Sequence, residues 1–452
     1  MSAAKRWRVR PAQRPLRGAV AVPGDKSISH RALILSALAT GEGALRGLGT
    51  GDDVRATLDA VRALGVEVSE ECGVTRVVGR GLDGLRAPSG PIDCRNAGTA
   101  MRLLAGVLCA QSFDAVLVGD ASLTRRPMAR VTRPLRARGA RIEGAVDAAR
   151  RDETAPLAIA GLTGGRRLIE LDHAVEVASA QVKSALLLSG LFADGHTALR
   201  EPVVSRDHTE RMLSAMGAPL QTMGPLCLLD PAGWSGALEP LDVTVAGDPS
   251  SAAFVVAAAH VVSGSRVMVR GVCTNPTRMG FAEVLRDQGG GVAVDPKGER
   301  GGEPVGDLHV GAGRAAELRR GARVAGELAV RSVDEVPALV AVAAVSPGES
   351  RFEDLAELRV KESDRVATMA EALARFGVEH EVARDGLRVL GGRPKGGAVV
   401  RSHGDHRVAM AAAVMALAAE GETVVDDVGC VETSFPGFAA TLRSLGASIE
   451  EE

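Results

Sequence analysis

The chain has 452 residues, 46% of them hydrophobic, and its 54 basic and 56 acidic side chains nearly cancel. This length and apolar content exclude a disordered chain and a small disulfide scaffold, and no apolar run reaches the roughly 18 to 20 residues of a membrane span. A net charge of -2, with no Tyr, two Trp and eight Phe, argues against nucleic acid as a partner, because the basic residues are cancelled by acidic ones and aromatic stacking platforms are scarce.

Cysteine use and the basic start of the chain bear on its compartment. The six cysteines never occur at the CxxC spacing of redox motifs and zinc sites, so we expect small buried apolar residues. Residues 1–17 are basic and poor in acids, as transit peptides are. The segment is short and nearly Ser-free, however, and Trp7 lies in an alternating pattern that predicts a strand. We therefore expect a cytoplasmic protein.

One pattern occurs six times in chain order: a polar residue, a very apolar helix, a Gly-containing turn with a strand, and an amphipathic helix that ends at Gly. The copies open at Asp25, Asn96, Ser179, Asp248, Asp334 and Asp405. Their second helices close at Gly65, Gly139, Gly217, Gly289, Gly377 and Gly446. A repeat of about seventy to ninety residues is longer than the common solenoid units, so we expect a closed arrangement of a few large units.

The first helix of each copy is apolar on every side, as in residues 252–262, 338–345 and 408–419. A helix that is hydrophobic all round must be buried. The second helices, such as 52–64 and 362–376, have apolar residues at three-and-four spacing and therefore face solvent on one side. The strands must then surround the first helices. This predicts an inside-out α/β barrel with buried helices.

A Pro- and Gly-rich stretch at 230–236, followed by Pro240, divides the repeats three and three. The strand around Trp7 precedes the first copy and has no partner in its own half, so we expect it to complete the other domain. The predicted domains are 21–240, with the first three repeats, and 1–20 plus 241–452, with the last three.

The starts of the apolar helices are candidate anion sites. The first N–H groups of a helix have no partner within it, and the helix dipole adds about half a positive charge there. Polar and cationic groups crowd four of these starts, at 26–31, 96–99, 179–181 and 405–407. Ordinary capping explains any one such site equally well, because Ser, Asn and Asp stabilise helix starts by themselves. The occurrence of such groups at the same position of successive repeats favours anion binding over capping alone.

Three basic segments follow, at 124–128, 205–208 and 358–365. Charge runs are usually solvated faces, so each segment alone is weak support. The pair Lys361 and Arg365 is stronger, because i, i+4 spacing at a predicted helix start puts both cations on one face. Glu362 lies beside them as a candidate proton donor or acceptor.

Four segments together resemble the signatures of the 5-enolpyruvylshikimate-3-phosphate (EPSP) synthase family: 23–32, 96–102, 358–365 and 405–410. The resemblance covers nearly the whole chain. It implies two domains of three βαβαββ repeats each. It also implies transfer of the enolpyruvyl group of phosphoenolpyruvate to the 5-hydroxyl of shikimate 3-phosphate, with release of phosphate, on the pathway to chorismate. No metal or organic cofactor takes part in that reaction.

The resemblance implies roles for individual residues. Lys26, Ser27 and Arg31 would hold substrate, with Lys26 reaching both ligands. The phosphoenolpyruvate contacts would be Gly98, Arg126, Arg365 and Arg407. The shikimate 3-phosphate contacts would be Ser179, Gln181, Arg206 and Lys361. Four polar residues of the same segments are further expected substrate contacts: Asn96, Thr99, Ser205 and His406.

Two carboxylates would exchange protons with the substrates. Asp334 matches the family's proton acceptor near the 5-hydroxyl, and Glu362 matches its proton donor to the methylene carbon; with Lys26 they form the expected catalytic set. The two substrates together carry roughly -5 to -6, from two carboxylates and two phosphates. Seven cations in the expected site balance that charge: Lys26, Arg31, Arg126, Arg206, Lys361, Arg365 and Arg407. Arginines suit bidentate contacts to such groups.

The chain departs from the family pattern at several positions. Arg95 stands where Gly is usual, which would alter the loop or add a cation. Residues 433–436 lack the Lys that some members carry, so one phosphoenolpyruvate contact is expected to be missing. Gly98 is the residue that leaves room for the inhibitor glyphosate in sensitive members, whereas Leu103 replaces their common Pro.

The sequence argues against two other functions. UDP-N-acetylglucosamine 1-carboxyvinyltransferase has the same fold but typically opens with Lys-Asn and carries a loop Cys before the arginine matching Arg126, and this chain has neither. A non-catalytic anion-binding protein would be expected to have lost Asp334 or Glu362. His403 and His406 have no third ligand nearby, so no metal site is expected. We expect a monomer that acts on small molecules and binds no membrane.

Overall fold

The computed structural model describes residues 5–147, 152–311 and 321–452. The chain forms two compact units: a first unit of residues 26–245 with 300–303, and a second unit of 1–25, 246–299 and 304–452. Within the described residues, no helix is both long and apolar enough to cross a membrane. The strands β1 (Arg6–Arg10) and β2 (Arg17–Ala21) belong to the second unit.

The first unit contains six helices in its described residues. They are α1 (Lys26–Leu38), α2 (Asp52–Ala63), α3 (Gly98–Leu108), α4 (Ala129–Ala137), α5 (Ala180–Gly190) and α6 (His208–Ala215). Its strands are β3 (Thr40–Arg46), β4 (Glu67–Glu71), β5 (Val74–Arg80), β6 (Ile92–Asp93), β7 (Ala115–Val118), β8 (Arg141–Asp147), β9 (Asp152–Ala160), β10 (Leu168–Ala174), β11 (Ala193–Arg200), β12 (Leu220–Met223), β13 (Leu226–Leu229) and β14 (Asp242–Thr244).

The second unit repeats this arrangement with one helix added. Its helices in the described residues are α7 (Pro249–Val261), α8 (Gly280–Asp287), α9 (Gly326–Ser332), α10 (Val336–Ala343), α11 (Arg365–Arg375), α12 (His406–Ala416) and α13 (Phe438–Ser444). Its further strands are β15 (Arg266–Cys273), β16 (Val292–Arg300), β17 (Glu303–Val310), β18 (Arg323–Val324), β19 (Gly348–Phe352), β20 (Glu379–Ala383), β21 (Gly386–Gly391), β22 (Val399–Arg401), β23 (Thr423–Asp426) and β24 (Ser448–Glu451).

Six four-stranded sheets cover the described residues, three in each unit. The strand orders in the first unit are β14-β3-β5-β4, β6-β7-β9-β8 and β10-β11-β13-β12. In the second unit they are β16-β17-β15-β2, β18-β19-β21-β20 and β22-β23-β1-β24. Each sheet has one parallel pair, for example β6 with β7, next to antiparallel neighbours. The sixfold repetition predicted from the sequence is therefore present in the sheets.

The inner helices of each unit form its core. Every residue of α7, α10 and α12 is buried, whereas the outer helices such as α2 alternate buried and exposed positions. The helices pack on one another inside their three sheets, so the inside-out α/β fold is confirmed. Each outer helix is followed by a Gly with positive φ, from Gly65 at 81° to Gly446 at 105°. Glycine adopts this conformation without strain and ends the helix there.

Two strands complete sheets that are distant in sequence. β1 lies between β23 and β24, with Trp7 opposite Val425 and Glu451. This is the pairing expected of the unpartnered strand at Trp7. Conversely, β14 follows the Pro- and Gly-rich stretch and pairs with β3 of the first repeat. The chain leaves the first unit after Val245, and not at Pro240.

One predicted helix start was wrong. Residues 356–360 form a short 3₁₀ helix that ends at Lys361, and α11 begins at Arg365 because the Asp364 side chain accepts a hydrogen bond from the Ala367 N–H. Lys361 and Arg365 therefore do not lie one turn apart on a helix face. Spacing alone could not separate the 3₁₀ turn from the α-helix that follows it.

Candidate active site

Lys26 lies in the first turn of α1 and its ammonium is held by a carboxylate. Nζ is 2.8 Å from Asp53 Oδ2, and Asp53 is a buried residue of the first turn of α2. Asp53 was missed by the sequence analysis. Its only signal was the Asp-Asp pair that opens α2, which is also an ordinary feature of helix starts.

Arg31 is buried one turn further along α1. It donates from Nε to Thr209 Oγ1 and from Nη2 to Ser184 Oγ, both at 2.7 Å. A third hydrogen bond runs from Nη1 to the Ser27 carbonyl at 2.9 Å. Because three partners fix the guanidinium, Arg31 is a rigid cation beside the start of α1, and Ser184 links it to α5.

The start of α3 brings Asn96, Gly98 and Arg126 together. Asn96 donates from Nδ2 to Asp120 Oδ2 at 2.7 Å and accepts a hydrogen bond from Arg126 Nη2. A Cβ on Gly98 would lie 3.2 Å from Arg126 Nη1 and 2.9 Å from Arg102 Nη1. The absence of a side chain at Gly98 therefore lets two guanidiniums approach the helix start.

Gln181 connects the starts of α3 and α5. Its Oε1 accepts from Arg102 Nη1 at 2.7 Å, and its Nε2 donates to Thr99 Oγ1 at 2.8 Å. Ser179 caps α5 by accepting from the Val182 N–H at 3.5 Å. Arg102 belongs to the segment 96–102 that resembles the family, but it was not predicted as a site residue. The hydrogen bonds through Gln181 and Arg31 thus link the starts of all three inner helices of the first unit.

A buried ion cluster supports the loop that carries Ser205 and Arg206. Lys183 Nζ lies 2.7 Å from both Glu201 Oε2 and Glu210 Oε1. Ser205 is tied to the same cluster, because its N–H donates to Glu201 Oε2 at 3.2 Å. Arg206 is half-buried at the end of this loop. The position of Arg206 thus depends on α5 through Lys183.

The charges of this cluster are coupled. Burial opposes a charged Lys183, but the attraction of Glu210 and Glu201 outweighs burial and raises the pKa of the lysine. Burial also raises the pKa of Glu210, against the opposing attraction of Lys183. Lys183 is therefore charged at neutral pH.

In the second unit, Asp334 lies among three cations. Arg365 Nη1 is 3.3 Å and Lys361 Nζ 3.7 Å from Asp334 Oδ1, and Arg407 Nη2 is 3.9 Å from Oδ2. Arg407 also donates from Nη1 to the Asp334 carbonyl. Asp334 is buried next to α10. The four predicted residues are thus brought together, although not through the predicted helix face.

Arg365 is the centre of this cluster. It donates from Nη2 to Glu362 Oε2 at 2.6 Å and from Nε to Asp405 Oδ2 at 2.8 Å. Burial disfavours its charge, but the attraction of Asp405, Glu362 and Asp334 is stronger and raises the pKa of Arg365. Although burial opposes ionisation of Asp405, Arg365 lowers the pKa of that carboxyl below its ordinary value.

The start of α12 contains one further predicted residue, His406, next to Arg407. Asp405 caps the helix by accepting from the Arg407 N–H at 3.0 Å. His406 is buried, and its Nδ1 lies 3.5 Å from Thr433 Oγ1. Thr433 itself donates to the Cys430 carbonyl at 2.7 Å. Residue 433 thus places a hydroxyl next to the start of α12.

Capping does not account for all six repeat openings. Ser179, Asp248 and Asp405 cap their helices with side-chain hydrogen bonds. Asn96 and Asp334 do not, because the residues in the N-cap positions there are Ala97 and Glu335. The side chains of Asn96 and Asp334 contact arginines instead. These are the two openings where an active-site role is best supported.

The structure shows the surroundings of two residues that depart from the family pattern, Arg95 and Leu103. Arg95 has φ of 50°, the left-handed conformation that glycine adopts without strain. Its Nη2 lies 2.6 Å from Asp59 Oδ2 in an exposed pair, so Asp59 neutralises the added charge. Leu103 is fully buried within α3 and packs in the core.

The described ranges contain no group of three or more His, Cys, Asp and Glu side chains placed to hold a metal ion. Both clusters instead suit phosphates and carboxylates. They combine buried arginines and lysines with helix starts, where N–H groups and dipoles attract anions. The second unit adds two carboxylates, Asp334 and Glu362, each touching Arg365. Such a site can bind anions and move protons.

A sequence model of EPSP synthase (3-phosphoshikimate 1-carboxyvinyltransferase) matches residues 11–442. A protein named 3-phosphoshikimate 1-carboxyvinyltransferase from Halorhodospira halophila is 49% identical over 98% of this chain and 97% of its own length. One of the same name from Pelotomaculum thermopropionicum is 48% identical over 96% of this chain and 97% of its own.

A solved structure gives the same result. EPSP synthase from Acinetobacter baumannii superposes with a TM-score of 0.85 at 37% identity, over 99% of this chain and all of the other. The chain therefore belongs to the EPSP synthase family of 3-phosphoshikimate 1-carboxyvinyltransferases.

Proposed function

We propose that this chain carries out the reaction of its family with Asp334 and Glu362 as the proton-transferring residues. The reaction transfers the enolpyruvyl group of phosphoenolpyruvate to the 5-hydroxyl of shikimate 3-phosphate, in the shikimate pathway toward chorismate and aromatic amino acids. A bond forms between the hydroxyl oxygen and C2 of phosphoenolpyruvate. The bond between C2 and the phosphate oxygen breaks, and phosphate leaves.

The protons balance with one acceptor and one donor. Asp334 accepts the hydroxyl proton as the oxygen attacks, and that proton departs with the phosphate. Glu362 gives a proton to the methylene carbon and takes one back when the phosphate leaves, which restores the vinyl group. General acid–base catalysis of this kind requires each carboxyl to be within hydrogen-bond reach of its atom.

The observation that carries this proposal is the position of Asp334 within 4 Å of Arg365, Lys361 and Arg407. A carboxyl group can accept a proton only in its ionised form, and neighbouring cations stabilise that form. The same cations attract substrate phosphate and carboxylate groups. The site therefore supports both substrate binding and proton transfer by Asp334.

The remaining predicted residues would bind the substrates. We assign phosphoenolpyruvate to Gly98, Arg126, Arg365 and Arg407, and shikimate 3-phosphate to Ser179, Gln181, Arg206 and Lys361. Lys26 would reach both ligands, with Ser27 and Arg31 beside it. Asn96, Thr99, Ser205 and His406 complete the set. The support is the hydrogen-bonded arrangement of these side chains at helix starts, where anions bind.

The test is a phosphate-release assay with the purified chain. Phosphate should appear only when shikimate 3-phosphate and phosphoenolpyruvate are both present, and should continue to appear after treatment with a chelator. Release from phosphoenolpyruvate alone, or with UDP-N-acetylglucosamine in place of shikimate 3-phosphate, would contradict the proposed substrate. Loss of turnover in chelator, restored by one divalent ion, would contradict the metal-free mechanism.

We also propose that the enzyme is a cytoplasmic monomer. Its six cysteines, all of which lie in the described residues, form no disulfide, and Cys94, Cys109, Cys227 and Cys273 are buried, which suits a reducing compartment. Sedimentation equilibrium should give the 46.6 kDa of a single chain, and a dimer mass at micromolar concentration would contradict this assignment.

A further inference from the structure

A second cluster around a buried arginine, Arg278, lies in the second unit. Two of its carboxylates directly neighbour proposed catalytic residues in the sequence. Arg278 ends a 3₁₀ helix at Pro276–Arg278, just after β15, and its side chain is 1% exposed. Nη1 donates to Asp25 Oδ2 at 2.6 Å, and Nη2 donates to Asp248 Oδ1 at 3.0 Å. One guanidinium thus joins two carboxylates that are far apart in the chain.

The same guanidinium reaches a third carboxylate through a serine. Arg278 Nη2 donates to Ser250 Oγ at 2.9 Å, and Ser250 Oγ donates to Glu335 Oε1. Arg278 Nη2 is also 3.8 Å from Glu335 Oε1 directly. Burial disfavours the charge on Arg278, but Asp25, Asp248 and Glu335 together raise its pKa well above the ordinary value. The cluster is therefore held by a permanently charged centre.

The backbone around the cluster is fixed as well. The Asp25 N–H donates to the Ala246 carbonyl, and the Asp248 N–H donates to the Pro23 carbonyl, both at 2.8 Å. Two of the three carboxylates that Arg278 contacts are direct sequence neighbours of proposed catalytic residues. Asp25 precedes Lys26, and Glu335 follows Asp334 at the start of α10.

We propose that Arg278 is a positioning residue for the reaction: by holding Glu335 and Asp25 it sets where Asp334 and Lys26 present their side chains. Arg278 has no proposed contact with substrate. This inference rests on the proposed roles of Asp334 and Lys26. A guanidinium is needed because its planar fork can serve Asp25 from one nitrogen and Asp248 with Ser250 from the other. A lysine keeps the charge but cannot make this set of contacts.

The test is Arg278→Lys, compared with the parent enzyme in the phosphate-release assay. We expect kcat to fall about ten- to a hundred-fold, because a shift of around 1 Å in a reacting group costs that much. KM for both substrates should rise by less than kcat falls, since Lys26 is the only proposed binding residue that this variant is expected to displace. An unchanged kcat in a folded variant would overturn the proposal. A kcat that falls only in proportion to the fraction of folded protein would overturn it as well.

Arg138→Lys is the matched control. Arg138 is also fully buried, and its guanidinium donates to Ser189 Oγ at 2.7 Å and Thr197 Oγ1 at 2.9 Å, away from any proposed site residue. Its replacement should lower the melting temperature and leave kcat near the parent value. A fall in kcat as large as that of Arg278→Lys would show that loss of any buried arginine has the same effect, and would also overturn the proposal.

Ser250→Ala keeps the proposal testable if Arg278→Lys does not fold. This variant removes the bridge to Glu335 but leaves the guanidinium contacts with Asp25 and Asp248. We expect kcat to fall by about three- to tenfold with KM nearly unchanged. A kcat equal to that of the parent would count against the proposal. If the parent itself releases no phosphate, the proposed function fails first, and that failure is distinct from the failure of the positioning role.

Discussion

Arg365 donates from Nε to Asp405 Oδ2 at 2.8 Å in a pair whose side chains are 1% and 0% exposed. Asp405 also caps α12 through the Arg407 N–H. One carboxylate therefore positions two arginines that are proposed to bind phosphoenolpyruvate. Removal of the Asp405 carboxylate should change both the free energy of unfolding and the dependence of that free energy on pH.

Asp405→Asn should lower the free energy of unfolding at pH 7 by about 3 to 5 kcal/mol, because it leaves Arg365 buried without this charge partner. Arg365 holds the pKa of Asp405 below its ordinary value, against the effect of burial. The carboxylate thus stabilises the fold fully above the unfolded pKa of about 3.9, and its contribution is lost as the pH falls through the lower folded pKa.

Urea denaturation of the parent and Asp405→Asn proteins from pH 7 to pH 3 measures this effect. The difference between their unfolding free energies should narrow below about pH 4. Asp385→Asn, at an exposed turn, is the control and should follow the parent throughout. A constant difference between parent and Asp405→Asn would contradict the assigned pKa direction.

Asp334→Asn should slow the reaction while leaving substrate binding intact. The amide keeps the shape of the side chain but cannot accept the hydroxyl proton. Loss of a general base costs on the order of a hundred- to ten-thousand-fold in rate. Single-turnover kinetics and calorimetric titration with shikimate 3-phosphate separate the two effects, and turnover near the parent rate would remove Asp334 from the proposed role.

Lys183→Met should destabilise the first unit by about 3 to 5 kcal/mol, because Glu201 and Glu210 are left buried without their cation. It should also weaken shikimate 3-phosphate binding through the loop that carries Arg206. Adding Glu201→Gln and Glu210→Gln should recover most of the stability. Lys395→Met, at an exposed position, is the control, and equal unfolding free energies for the two single variants would disprove the prediction.

Gly98→Ala should weaken the binding of glyphosate more than the binding of phosphoenolpyruvate. The new Cβ would lie 2.9 Å from Arg102 Nη1 and 3.2 Å from Arg126 Nη1, so both guanidiniums must move, and the longer inhibitor has less room to adapt. The glyphosate inhibition constant should rise at least about tenfold more than KM for phosphoenolpyruvate, or roughly 1.4 kcal/mol. Gly90→Ala is the control because a Cβ there meets nothing within 4 Å. Equal changes in both constants would contradict the steric explanation.

Local sequence signals predicted much of the fold, because each repeat has an apolar inner helix and a glycine that ends its outer helix. A helix that is apolar on all sides, such as α7, can only be inside. A glycine such as Gly65 ends an outer helix because it adopts positive φ without strain. Both signals lie within a few residues of the element they describe, so the buried helices and their ends could be identified without knowing what packs against them.

The partners of the site residues could not be predicted in the same way. Asp25 and Arg278 are 253 positions apart, and no periodicity connects them. Asp53 looked like an ordinary first-turn acid until its contact with Lys26 was known. Hydrogen bonds between distant segments depend on how helices and sheets meet in three dimensions. A single sequence therefore suggested the cations but not the carboxylates that orient them.

The pairing of β1 with β23 and β24 has a consequence for synthesis on the ribosome. Arg6 and Asp426, which pair through their side chains, are 420 positions apart, so β1 is synthesised long before its neighbours in the sheet. The strands and helices of the first unit lie within 26–245 and are available much earlier. We expect the first unit to fold while the chain is still being translated. In the second unit, β1 must stay unpaired until β23 and β24 have been synthesised, and over that interval its unpaired N–H and C=O groups are open to pairing with other chains.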